Sequence, residues 1–74
     1  NPSTIINYSI AEGNIVTLKI FDVLGNEVSE PVNRFETAGS YNVRFDASSL
    51  PSGIYFYQLR AGNYVETRKM ILIR

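Results

Sequence analysis

The sequence has no cysteine and no histidine, and each absence excludes a class of functional site. Without thiols, neither a disulfide nor a cysteine nucleophile can form. Without imidazole, a Ser-His-Asp arrangement is excluded, and so are zinc sites built from Cys and His. Carboxylates remain, but Asp22 and Asp46 both stand beside predicted turns, where capping of backbone amides explains them. We therefore expect no catalytic site and no cofactor.

Net charge and long apolar runs are missing as well. Seven Lys plus Arg balance seven Asp plus Glu, so no overall field favours nucleic acid or an anionic membrane surface. The longest apolar run, residues 70–73, is far too short to span a bilayer. The acidic residues are dispersed and form no calcium-loop motif, and no glycine-rich phosphate loop precedes a helix. We expect no nucleic acid, metal or small-molecule substrate as a ligand.

The length and the apolar content predict one small folded domain over residues 1–74. Apolar residues make up 45% of the chain and charged residues 19%. This composition is too apolar for a disordered segment. The chain starts with Asn1 rather than Met, and its first residues have no basic, apolar leader pattern. We expect the domain to be part of a longer protein.

Alternation of apolar and polar residues dominates the chain, and no long segment has helical periodicity. Strands are predicted over residues 4–10, 16–23, 39–45, 53–59 and 64–73, with turns at glycine and asparagine between them. A short strand over residues 27–29 should end at Pro31, because proline cannot donate to a ladder, and a further edge strand is expected near residues 33–36. Six to seven strands with regular turns predict an all-β, immunoglobulin-like antiparallel β-sandwich.

Two strands begin with the same Gly-x-Tyr pattern, at Gly39 and at Gly53. The second resembles the tyrosine corner of immunoglobulin-like domains and would turn Tyr55 inward. Ile54 and Phe56 would then lie on the outer face, which needs either a covering element or a binding partner.

Three non-catalytic roles are compatible with these patterns. Five Tyr and four Phe allow a carbohydrate-binding platform, although tryptophan is absent and core packing explains most aromatics. Exposed edge strands allow self-association into an adhesive or structural assembly. The last residues, 66–74, are either an ordinary final strand or a recognition tag at the end of the chain.

Four segments together resemble a known family. They are residues 1–10 (NPSTIINYSI), 16–28 (VTLKIFDVLGNEV), 50–59 (LPSGIYFYQL) and 67–74 (TRKMILIR). In this order and spacing they look like the type A C-terminal sorting domain of the type IX secretion system. The pattern is also similar to the immunoglobulin-like domain of flagellar hook-capping proteins.

The resemblance implies a label at the end of a cargo protein that a Gram-negative bacterium exports across its periplasm and outer membrane. The implied partners are the outer-membrane translocon and a sortase-like peptidase that removes the domain. Gly53 and Tyr55 match the family's Gly-x-Tyr strand start, and Gly62 matches its last hairpin. From the resemblance and the outer-face pattern together, we expect partner contacts at Lys69, Met70, Ile71, Leu72, Ile73, Arg74, Ile54 and Phe56.

Overall fold

The computed structural model describes residues 3–73, and within them the protein is all-β with no helix. The described strands, in chain order, are β1 (Ser3–Ile10), β2 (Asn14–Phe21), β3 (Glu27–Glu36), β4 (Gly39–Asp46), β5 (Gly53–Ala61) and β6 (Tyr64–Leu72). All pair antiparallel, as a two-stranded sheet of order β1-β4 and a four-stranded sheet of order β3-β2-β5-β6. This arrangement is compatible with the predicted immunoglobulin-like sandwich.

The core lies between the two sheets and follows the alternation of the sequence. Val16, Leu18 and Ile20 of β2 are completely buried, as the pattern of that strand predicts. Ile6 and Tyr8 of β1 close over them from the other sheet. Burial of an aliphatic side chain of this size contributes about 1.5 to 3 kcal/mol relative to exposure. Because β2 supplies three completely buried side chains, it is the centre of the core.

The prediction that the third strand ends at Pro31 is wrong, because β3 runs without a break from residue 27 to residue 36. β3 is an edge strand that pairs with β2 alone. Between the pairs Leu18–Val32 and Ile20–Ser29, β3 has one residue more than β2, and Pro31 lies in this irregularity. A bulge on an edge strand needs no N–H from the proline, so the ladder continues past it.

The predicted turns have the expected chemistry. Gly25 takes a φ of 86° after β2, and the Asp22 side chain accepts hydrogen bonds from the amides of Leu24 and Asn26, both at 2.9 Å. Ala61 pairs with Tyr64 across a two-residue loop in which Gly62 has a φ of 63°. Positive φ at the first loop position alone is typical of a type II′ hairpin turn.

The repeated Gly-x-Tyr pattern forms the same local structure twice. The Tyr55 hydroxyl donates to the Pro51 carbonyl oxygen at 2.8 Å, which confirms the predicted tyrosine corner. The Tyr41 hydroxyl donates in the same way to the Thr37 carbonyl oxygen, again four residues back. Each tyrosine thereby fixes the connection that enters its own strand.

A buried carboxylate joins the two sheets at one end of the sandwich. Glu36 of β3 is only 6% exposed, and its Oε1 accepts a hydrogen bond of 2.6 Å from the Tyr8 hydroxyl of β1. Its other oxygen, Oε2, accepts from Arg34 Nε at 3.2 Å. The Tyr8 ring stacks on Tyr41, with ring centroids 5.5 Å apart.

Candidate partner-binding face

The predicted contact residues lie on β5 and on β6, which forms one edge of the four-stranded sheet. Strand alternation divides the terminal residues between two faces. Leu72 points inward and is only 8% exposed, and Met70 packs against the core beside it. Lys69 and Ile71 occupy the opposite, outer face, since successive side chains of a strand point to opposite sides.

Ile73 follows the end of β6 and is 73% exposed. Arg74, the last predicted contact residue, lies outside the described residues. In the folded domain, the terminal segment therefore exposes Lys69, Ile71 and Ile73 to solvent, whereas Met70 and Leu72 hold the strand on the sheet.

Strand register brings the two predicted groups of contact residues together. Ile54 of β5 pairs directly with Ile71 of β6, and Phe56 pairs with Lys69. On its other side Phe56 pairs with Phe21 of β2. These five side chains form one continuous surface, which we call the outer patch.

The outer patch is accessible in the domain. Ile54 is 42% exposed and Ile71 is 62% exposed, whereas Phe21 and Phe56 are half-buried. An apolar surface next to a sheet edge is unusual on a small isolated domain unless it binds something. Phe21 was not among the predicted contacts, because only the register between β2 and β5 shows that it adjoins Phe56.

A second apolar pair lies at the far end of the same outer face. Ile15 of β2 pairs with Phe35 of β3, and these side chains are 55% and 60% exposed. Polar residues separate this pair from the outer patch, including the cross-strand row Lys19–Gln58–Thr67. The face therefore has two apolar ends and a polar middle.

The charges near the outer patch are positive or neutralised. Lys19 lies 3.5 Å from a carboxylate oxygen of Glu27 and 3.9 Å from one of Glu30. Lys69 has no such ion pair among the described residues. A surface that fits this patch would offer apolar groups together with an acidic group near Lys69.

The inner side of β6 carries a polar chain of three side chains. Glu66 Oε2 accepts a hydrogen bond of 2.7 Å from Arg68 Nε, and Glu66 Oε1 accepts one of 3.0 Å from the Tyr64 hydroxyl. The Arg68 hydrogen bond is the main cause that lowers the pKa of Glu66, and the Glu66 hydrogen bond is the main cause that raises the pKa of Tyr64. All three groups are near solvent and satisfied by one another.

The two turn carboxylates act as caps, as predicted. Hydrogen bonds from backbone amides are the leading cause that lowers both pKa values, from Asn26 for Asp22 and from Ser48 for Asp46. Ser48 N donates to Asp46 Oδ1 at 3.0 Å, and Leu50 N donates to the Ala47 carbonyl at 2.9 Å. Among residues 3–73, no three acidic side chains group so that they could hold a metal ion.

The tyrosines contribute mainly to packing. Tyr8 and Tyr55 are buried, Tyr41 and Tyr57 are half-buried against the core, and Tyr64 is 52% exposed.

Within the described part of the chain, no helix is long and apolar enough to cross a membrane.

A match to a family model identifies the family of this chain. The model of the secretion system C-terminal sorting domain matches residues 1–74. The chain belongs to this family. The sorting domain is a type IX secretion signal, so its protein interacts with the type IX machinery and is exported to the cell surface or beyond. Neither a curated protein nor a solved structure matches this chain.

Proposed function

We propose that the domain is a non-catalytic label, and that the secretion machinery recognises it through the outer patch and the exposed end of β6. The observation that carries this proposal is the pairing of Ile54 with Ile71 at an open sheet edge. It places the apolar pair beside Lys69, in the part of the chain that the family resemblance associates with recognition.

The energetics of the patch support a contact surface. Covering an exposed isoleucine removes apolar area from water, and each fully buried side chain of this size is worth about 1.5 to 3 kcal/mol. Two such residues at a patch centre are enough for a hot spot, and Lys69 at its border would select an acidic partner.

The rest of the proposal concerns the route and the partners. We infer that residues 1–74 act as one domain, that the cargo crosses the periplasm and the outer membrane of a Gram-negative bacterium, and that the translocon is the partner. A sortase-like peptidase would then remove the domain. Two observations support a non-catalytic role. The chain has no His and no Cys, and the carboxylates of Asp22 and Asp46 accept hydrogen bonds from backbone amides in turns.

Point substitutions test this proposal better than truncation does. Removal of residues 69–74 would also delete Leu72, so the loss of export would report unfolding as well as lost recognition. Residues 1–74 should instead be fused behind a periplasmic reporter in a host with a type IX system. The test variant combines Ile54→Ser with Ile71→Ser.

The matched control combines Ile15→Ser with Phe35→Ser, an exposed apolar pair on the same face of the same sheet. Loss of about 1.4 kcal/mol of recognition energy would weaken binding about tenfold, so below saturation the test variant should export up to about tenfold less reporter. The control should export normally. Equal export of both variants, with both folded by circular dichroism, would refute the role of the outer patch.

Self-association into an adhesive assembly is the second candidate, because the outer face has apolar residues at both ends. Sedimentation of the isolated domain distinguishes the two functions. A label should stay monomeric at micromolar concentration, whereas an assembly module should form larger species that the Ile54→Ser, Ile71→Ser variant loses.

A further inference from the structure

The edge of β1 that faces away from β4 is unpaired in the described structure. β1 pairs with β4 alone, in a two-stranded sheet that lies opposite a four-stranded one. Along an antiparallel pair, every second residue turns its N–H and C=O away from the partner strand. The edge of β1 therefore presents donors and acceptors that another strand could use.

This edge has none of the protection that the other edges carry. β1 contains no charged residue and no proline, and its register with β4 is regular from Ser3–Asp46 to Ile10–Gly39. In contrast, β3 has Pro31 and two register shifts, and β6 has three charged residues. Proteins blunt exposed edges with charge, proline and bulges, so an unprotected edge indicates a surface that is used.

Two cavities lie along the same edge, between β1 and the inner side of β6, and together we call them the groove. One, of about 440 Å³, is bordered by Ser9 and Ile10 on one side and by Ala61 and Tyr64 on the other. The other, of about 110 Å³, lies beside earlier residues of β1. It is lined by β1 residues Ile6, Asn7 and Tyr8, with Leu59, Glu66 and Arg68 among the residues opposite.

We propose that this groove accepts one extended strand of a partner protein, which adds to β1 as the third strand of the smaller sheet. The groove borders residues 6–10 of β1, which at about 3.3 Å per residue corresponds to about 16 Å. This length suits five or six residues of an extended peptide. The surface is separate from the outer patch, which lies on the other side of the four-stranded sheet.

The groove also selects the chemistry of its occupant. β1 offers no charge, and Glu66 and Arg68 on the floor already satisfy each other at 2.7 Å. A charged side chain beside residues 6–8 would therefore lose hydration without gaining a free partner, whereas Glu12, which lines the larger cavity, could pair with a basic side chain there. Alternating aliphatic and hydroxyl side chains fit best, the aliphatic ones over Leu59 and the hydroxyl ones near Glu66.

A second copy of the domain fits this edge poorly. A symmetric antiparallel β1–β1 pair puts both four-stranded sheets on the same side of the joined sheet. Residues of β6 line both cavities opposite β1, so in such a pair the two copies of β6 would approach each other beside the joined β1 strands. We therefore assign the groove to a single strand.

The test uses the 74-residue chain and a defined probe. The probe is an eight-residue peptide of alternating Thr and Val with blocked ends, added up to about 1 mM so that a Kd of about 1 mM or tighter is detected. Amide exchange is measured by NMR. We expect the peptide to slow the exchange of the outward amides among residues 6–10 about tenfold.

Two controls make the result specific. A peptide that is N-methylated at alternate residues cannot form a ladder and should leave exchange unchanged. Asn7→Lys adds a protective charge beside the edge and should weaken binding about fivefold or more, whereas Asn42→Lys, its cross-strand neighbour on β4, should not. Three results would overturn the proposal. They are protection of β6 or β3 amides instead of β1 amides, equal binding of the N-methylated peptide, and no protection at about 1 mM peptide. Protection that appears when the protein concentration is raised without peptide would also overturn it, because the occupant of the edge would then be a second copy of the domain.

Discussion

Substitution of Tyr8 by Phe is the sharpest test of the link between the two sheets. The substitution removes one oxygen atom and keeps the ring that stacks on Tyr41. It deletes the 2.6 Å hydrogen bond to Glu36, a carboxylate that is only 6% exposed. Hydrogen bonds to charged groups contribute about 1.5 to 3 kcal/mol, and Glu36 would keep Arg34 as its one hydrogen-bond donor among the described side chains.

The expected loss is large for a domain of this size. In domains of fewer than about 70 to 80 residues, the hydrophobic core rarely supplies more than about 3 to 5 kcal/mol of net stability. With a urea dependence of about 1 kcal/mol per molar, Tyr8→Phe should lower the unfolding midpoint by about 1.5 to 3 M. Urea titration followed by circular dichroism at neutral pH measures this shift.

The pH dependence gives an independent check. Burial, followed by the hydrogen bond to Glu36, raises the pKa of Tyr8 well above its ordinary value of 10.0. Because the raised pKa belongs to the folded state, the stability from this hydroxyl is complete below pH 10. It is lost as the pH rises further and the unfolded chain ionises. The wild-type domain should lose stability above pH 10 more steeply than the Tyr8→Phe variant.

Tyr57→Phe is the matched control. Tyr57 also packs against the core, but its hydroxyl forms no hydrogen bond with another described side chain or backbone group. Its removal should change stability by no more than about 0.5 kcal/mol. If both variants unfold at the same urea concentration and keep the same profile above pH 10, the Tyr8–Glu36 link does not stabilise the fold.

Three further substitutions probe other parts of the structure. Leu72→Ala should destabilise the domain by about 2 to 5 kcal/mol in thermal or urea unfolding, whereas Ile71→Ala, one residue earlier but on the outer face, should cost much less. Comparable losses would contradict the assigned faces of β6. Gly25→Ala should cost about 1 to 2 kcal/mol, because φ of 86° is unfavourable for a residue with a Cβ, and an unchanged melting temperature would show that the turn adapts. Asp22→Asn should flatten the loss of stability at low pH. The pKa of Asp22 is lowered in the fold, chiefly by the Asn26 amide, so its contribution is present above the ordinary carboxyl pKa of 3.8 and disappears as the pH falls through the folded value. A variant with the same acid unfolding profile as the wild type would refute this cap.

Local patterns predicted the parts of the fold that depend on neighbours in sequence. The buried face of β2, the turn at Gly25 and the tyrosine corner at Tyr55 all follow from spacing and residue type. The third strand was mispredicted at Pro31, because a proline ends a strand only where its missing N–H is needed. Its position on an edge and in a bulge was not visible from residues 27–36 alone.

The candidate site was only partly predictable, for the same reason. Alternation along β5 placed Ile54 and Phe56 on an outer face, but the terminal residues were predicted as one continuous contact segment. Their division into outward Ile71 and inward Leu72 requires knowing which side of β6 meets the core. Sequence spacing also gave no sign that Glu36 of β3 would meet Tyr8 of β1, which lies 28 residues earlier.

The sequence by itself determined the class of fold, the strand periods, the turn chemistry and, through its family motifs, the role of the chain as a secretion label. The first three depend on backbone preferences and on patterns that extend over a few residues, and the last depends on four motifs in order along the whole chain. Only the tertiary structure decided which strands are neighbours, and with them the outer patch, the buried Glu36 and the open edge of β1. Strand pairing is set by packing between residues far apart in the chain, so two surfaces with the same sequence pattern become buried or exposed according to what covers them.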